Sequence, residues 1–165
     1  MTIQEFFALS VGKWFSQRTT HQLASQKSEH TKSEIIIELL TAEAVQEFCP
    51  QTEWGGIQVI SKPVTDWSSP KNANLTTTTT LLAPTAIGEL AWVLNGKKNP
   101  LGQVAMGSDE ALTFAVGNDQ FTSTERIWFA SPNLRLRSIV QETSDGIQLA
   151  SFCSEIRMGG GLLMM

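Results

Sequence analysis

Polar and apolar positions alternate from Thr124 to Val140, T-E-R-I-W-F-A-S-P-N-L-R-L-R-S-I-V. That pattern predicts two strands joined at Ser131-Pro132-Asn133, because Pro fixes φ and Asn tolerates the left-handed region. Side chains in a strand alternate between faces, so Glu125, Ile127 and Phe129 share one face, with Arg126 and Trp128 on the other. On the return strand Arg135, Arg137 and Ile139 share a face, and Leu134, Leu136, Ser138 and Val140 take the opposite one. With a loop of Ser131 to Asn133, Phe129 faces Arg135, Ile127 faces Arg137 and Glu125 faces Ile139. One carboxylate and two guanidinium groups then share a face. A loop one residue longer or shorter separates them. The alternation fits equally well a hairpin with Leu134 and Leu136 toward the core and both arginines in water.

The remaining pattern is strand-rich. Thr2-Ile3-Gln4-Glu5 reads as a capping box opening a short helix that carries Phe6, Phe7 and Leu9, with Gly12 to end it. So short a helix must dock on something. Gly12-Lys13-Trp14 leads into a strand through Leu23. Ser25 to Lys32 reads as a polar turn and Ser33 to Leu40 as the second strand. Thr41 to Cys49 has helical spacing and is stopped by Pro50.

Strands follow at Ile57–Ser61, Leu75–Leu82, Leu90–Leu94, Val104–Met106, Leu112–Val116 and Phe121–Phe129. The intervening turns are marked by Gly, Asn, Asp and Pro, and the last strand runs from Ile147 to Met158. About ten short strands with regular turn spacing point to an all-β fold with two short helices. A helix followed by G-x-W favours a closed antiparallel β-barrel of the lipocalin and fatty-acid-binding-protein kind, with Trp14 at the bottom and Arg157 as its expected partner. Such a barrel encloses room for one small ligand. The length of 165 residues is that of a single domain, taken as residues 1–158, with 159–165 a disordered tail.

Composition narrows the function. A net charge of −4 with scattered basic residues argues against nucleic acid and anionic membrane partners. No apolar run reaches transmembrane length and Met1-Thr2-Ile3-Gln4 does not open a signal peptide, so a cytoplasmic protein is expected. Cys49 and Cys153 read as free, packed thiols. Hydrolase, nucleotide-binding and zinc-protease motifs are missing, and two histidines do not make a histidine metal site. His21 reads as a structural histidine before a ligand contact. From the residues alone the chain is a small-molecule binding barrel.

E-R-I-W-F-A-S-P-N-L-R-L-R-S, A-S-F-C-S-E-I-R-M and the N-terminal F-F-x-L-S-x-G-K-W-F-S-Q-R-T-x-H closely resemble the S-type phycobiliprotein lyases, the CpcS/CpeS family with its U-type relatives. These blocks cover both ends of the chain, and Pro50 to Gly107 matches more loosely. The resemblance implies an enzyme that attaches a linear tetrapyrrole, phycocyanobilin or a relative, to a cysteine of a phycobiliprotein apo-subunit. The setting would be the cyanobacterial phycobilisome.

On that resemblance the client would supply the nucleophile, a thiolate that adds to the ring-A ethylidene. The resemblance implies a lyase that holds the bilin in one conformation, with no permanently bound cofactor and no metal expected. On this reading Glu125 and Arg135 are the catalytic candidates, Glu125 accepting from pyrrole N–H groups. Arg135 and Arg137 suit the propionates, since a guanidinium fork pairs with a carboxylate bidentately. Trp67 and Trp92 are candidates to stack on or wall the bilin, although Val64-Thr65 precede Asp66-Trp67 where relatives tend to carry a Met. Ser138 is a weaker ligand candidate. Glu155 is a second carboxylate or a partner for Arg157. A non-catalytic bilin or apolar-acid carrier, and one subunit of a homo- or heterodimeric lyase, are the rival readings.

Overall fold

The computed structural model describes residues 1–65, 76–117 and 119–159. Trp67 and the tail residues 160–165 lie outside the described residues. In chain order the elements are α1 (Ile3–Ser10), β1 (Gly12–Gln22), β2 (Lys27–Leu40), α2 (Ala42–Val45), β3 (Gly56–Pro63), β4 (Thr78–Pro84), β5 (Glu89–Leu94), β6 (Lys97–Lys98), β7 (Gly102–Met106), β8 (Leu112–Gly117), β9 (Thr122–Ser131), β10 (Leu134–Thr143) and β11 (Gly146–Arg157).

All strand pairs are antiparallel, and the order β4-β3-β2-β1-β11-β10-β9-β8-β7-β5 closes on itself through β5–β4 pairing. The result is a ten-strand barrel with β6 as a spur on β5, the expected architecture. Closure pairs every strand edge and sorts alternate residues into a lumen and an outer face. Asn95-Gly96, both at positive φ, form the tight turn that starts the spur. Gly56 has no room for a side chain, since a Cβ there would lie 2.0 Å from the Leu82 carbonyl oxygen.

α1 plugs one end. Thr2 caps it, accepting from the Glu5 amide at 3.1 Å, while the Glu5 carboxylate accepts from the Thr2 hydroxyl. Phe6 and Phe7 enter the core beside Trp14, Ile37, Leu112 and Phe114. Trp14 is fully buried and donates from Nε1 to the Ser10 carbonyl at 2.9 Å. Arg157 stacks on it at 4.2 Å and donates to the carbonyls of Leu9 and Val11, at the end of α1, and of Pro132, at the β9–β10 turn. The expected Trp14–Arg157 partnership is present, and it also ties the plug to the hairpin.

Two boundaries differ most from the sequence reading. β2 starts at Lys27, so Lys27–Lys32 is strand rather than turn, paired to Gln17–Gln22. Its residues are exposed on both faces, so backbone pairing holds them without the alternation a strand normally shows. α2 ends at Val45, yet Cys49 still packs with Val45, Ala83 and Ala91 on the outside of β4 and β5. Burial raises the Cys49 thiol pKa.

Candidate functional site

The β9–β10 hairpin has the register that joins its charges: Arg135 pairs with Phe129, Arg137 with Ile127 and Ile139 with Glu125. The route differs from a three-residue loop. Ser131 pairs with Leu134 around Pro132-Asn133, and the extra residue Ala130 is absorbed as a bulge before Arg135. Glu125, Arg135 and Arg137 therefore face the lumen. β11 lies on the other side of β10, with Glu155 opposite Arg135 and Cys153 opposite Arg137. Glu155 thus belongs to the same cluster, and its partners are these two arginines rather than Arg157.

The four charges form a chain. Arg137 donates from Nη1 to Glu125 at 2.5 Å. Arg135 places both Nε and Nη2 2.8 Å from Oε1 of Glu155. Arg137 Nε and Glu155 Oε2 lie 3.2 Å apart, an ion-pair contact without hydrogen-bond alignment, and neither atom has a hydrogen-bond partner.

Burial grades the cluster. Side-chain exposure is 0% at Glu155 and 5% at Arg135, against 14% at Arg137 and 25% at Glu125. Arg135 also lies over the Trp14 ring at 5.3 Å. Burial alone would raise the Glu155 carboxyl pKa, but the Arg137 and Arg135 charges and a hydrogen bond from Ser16 hold it below the usual range. Burial lowers the Arg135 pKa, the Arg137 charge adds to that, and Glu155 only partly offsets both. Burial also disfavours the Arg137 cation, yet Glu155 and Glu125 together raise its pKa.

The lumen has two compartments. One, of about 210 Å³, is mostly apolar, walled by Phe7, Ile57, Leu90, Phe114 and Ile127 and edged by Glu125, Arg135 and Arg137. The other, of about 260 Å³, is lined by hydroxyls and by Arg18 and Arg137. Val59, Thr80 and Arg137 border both.

Among the other expected contacts, Trp92 walls the apolar compartment and donates from Nε1 to the Pro100 carbonyl at 2.9 Å. Ser138 is corrected: it pairs with Arg126 and Phe152 on the outer face, because residues one apart from Arg137 point the other way. His21 is also outside, exposed and hydrogen-bonded to Ser28. Cys153 is a fully buried free thiol. Its sulfur accepts from Arg18 Nε at 3.2 Å and lies 3.7 Å from Arg137 Nη2.

The sequence reading passed over Arg18 altogether. The usable signal was alternation from Trp14, since Trp14, Ser16 and Arg18 share a face and Trp14 was already assigned to the barrel bottom. Among the described residues no cluster of three His, Cys, Asp or Glu side chains is built to hold a metal, and no helix is long and apolar enough to cross a membrane.

A barrel whose interior carries a bridged Glu–Arg cluster beside an apolar chamber belongs to the ligand-holding β-barrels. Within that class the model of the CpeS-like protein family matches residues 2–158, and the chain belongs to this family. It is 40% identical to a chromophore lyase CpcS/CpeS of Thermosynechococcus vestitus, over 96% of this chain and 94% of that one. It is 36% identical to a chromophore lyase CpcS/CpeS of a Synechococcus species, over 95% and 90%. The structure of the S-type phycobiliprotein lyase of Guillardia theta superposes with a TM-score of 0.76 at 27% identity, covering 95% of this chain and 93% of that one.

Proposed function

We propose that this protein is a chromophore lyase that binds a linear tetrapyrrole of the phycocyanobilin type and promotes its thioether attachment to a phycobiliprotein cysteine in the cytoplasm. The observation that carries the reading is the lumenal cluster of Glu125, Arg137, Glu155 and Arg135 at the edge of an apolar chamber. Glu125 is the less buried of the two carboxylates, with Oε1 on Arg137, and serves to accept from pyrrole N–H groups and to favour the protonated, more electrophilic bilin. Arg137 borders both compartments and is placed to meet a propionate. Arg135 is committed to Glu155 and Trp14. Its contribution is to hold Glu155, and through it Arg137, in place. Trp92 walls the chamber.

Neither cysteine lines either compartment. That agrees with a nucleophile brought by the client, and it leaves the lyase to position, orient and shield the chromophore. The test is an absorbance titration with phycocyanobilin followed by addition of apo-phycocyanin β-subunit. A red-shifted complex that passes its colour to the client, stable to denaturation, is the expected result. Glu125→Ala should keep binding within a few-fold and lose transfer by roughly 100-fold or more, the scale of one positioned acid–base group. Binding without transfer by the unaltered protein would leave a carrier or one subunit of a dimeric lyase. No spectral change would refute the bilin reading.

A further inference from the structure

Resting on the bilin reading above, we propose that the mouth of the barrel opposite α1 is the docking surface for the client apo-subunit, its exposed apolar side chains seating on the client's empty chromophore cleft. The topology leads there. α1 closes one end, with Phe6, Phe7 and Trp14 filling the lumen beneath it. Continuous strand pairing closes the wall. A client thiol therefore reaches the chamber from the other end. β9 runs between the two: Phe129 packs on Phe6 and Trp14 at the plug, and Thr122 stands at the mouth. Glu125 is the third residue after Thr122, about 10 Å along the strand. The client's surface must come right up to the rim for its cysteine to meet a bilin held at Glu125.

That rim is apolar at five strand ends. It carries Leu23 after β1, Val64 after β3, Leu94 ending β5, Phe121 before β9 and Ile147 near the start of β11. Each is between 36% and 47% exposed, and none borders either compartment. The Leu23 amide donates to the Gln148 carbonyl at 3.1 Å, which sets Leu23 beside Ile147. Leu94 pairs with Thr80, a residue of both compartments, so the rim continues the chamber wall. Large apolar side chains gathered round one opening mark a contact site. The partner's chemistry follows from its cargo. A subunit that will bury a flat apolar chromophore holds an apolar cleft before it is filled. Rim against cleft keeps water from thiol and bilin during transfer, and so small a contact separates afterwards.

The experiment loads wild type, Leu23→Asp, Leu94→Asp and Ile147→Asp with phycocyanobilin and follows colour transfer against the concentration of apo-phycocyanin β-subunit. Ile87→Asp, in the turn at the far end of β5 from Leu94, and Phe152→Asp, on the outer wall, are the controls; both residues are at least as exposed as the rim. Each rim variant should raise the half-saturating client concentration by roughly 10-fold, the scale of one apolar anchor at an interface. Its bilin Kd should stay within a few-fold of wild type, which also shows that the variant is folded. The controls should transfer as wild type does. Rim variants that saturate like wild type would overturn the proposal, as would controls impaired as much as the rim or rim variants that lose bilin affinity. Rim substitutions that change the sedimentation coefficient of the bilin-loaded protein without client would show a contact between copies and overturn it too. A wild type that binds no bilin, or binds it and colours no client, defeats the lyase reading itself, and the proposal with it.

Discussion

The plugged end of the barrel and the charged belt above it use the same side-chain type in opposite ways. At the plug, Arg157 donates to carbonyls of Leu9, Val11 and Pro132 and covers Trp14, so its hydrogen-bonding capacity is used within the fold. In the belt, Arg137 retains an unaligned Nε, and among the described residues Arg18 donates only to a thiol. A saturated arginine fixes geometry. An unsaturated one in a cavity is poised for a ligand. The difference teaches that satisfaction of donors, rather than burial alone, separates structural charges from ligand-binding ones.

Glu155→Gln should break the comparison hardest, because it strands Arg135 beneath Trp14 without a counter-charge. Removing one partner of a buried pair costs about 3–5 kcal/mol, read from the urea midpoint at neutral pH. The same carboxylate makes the fold acid-sensitive. Its native pKa is depressed, so its stabilisation is fully present above the unfolded value of ~4.3 and is lost as pH falls through the lower native value. Urea midpoints measured from pH 6 down to pH 3 should therefore fall more steeply for wild type than for Glu155→Gln.

Arg157→Met should come next. It leaves carbonyls at the end of α1 and at the hairpin tip without a donor, at a cost of about 1–3 kcal/mol. Bilin affinity should stay within a few-fold, and a large loss there would erase the distinction between plug and belt. Thr2→Ala removes the α1 cap and should cost about 1 kcal/mol in the same unfolding assay. Glu125→Gln should be smallest in stability, below about 1 kcal/mol, since its ion pair is partly exposed. Its effect belongs to colour transfer, so a variant that instead unfolds like Glu155→Gln would move Glu125 into the structural class.

Local pattern carried much of this molecule. Period-two alternation put Arg135 and Arg137 on one face of their strand and left their meeting with Glu125 to the turn, G-x-W and the preceding helix marked the plug, and turn residues marked the hairpins. Alternation failed where both faces are polar, as in Lys27–Lys32, because a strand extending past the core has no apolar face to show. It also could not keep Ser138 in the site, since that residue lies one step out of phase with the arginines beside it.

The sequence by itself determined which residues share a face on each strand, because side-chain direction is a property of the backbone period. Only the tertiary structure decided which face became the lumen and which strands became neighbours. Closure laid β11 between β10 and β1, and so set Glu155 against Arg135 and Cys153 between Arg137 and Arg18. Residues 18, 137 and 153 carry no mark of one another along the chain. Their meeting is a consequence of register around a closed sheet, where each pairing is fixed by all the others.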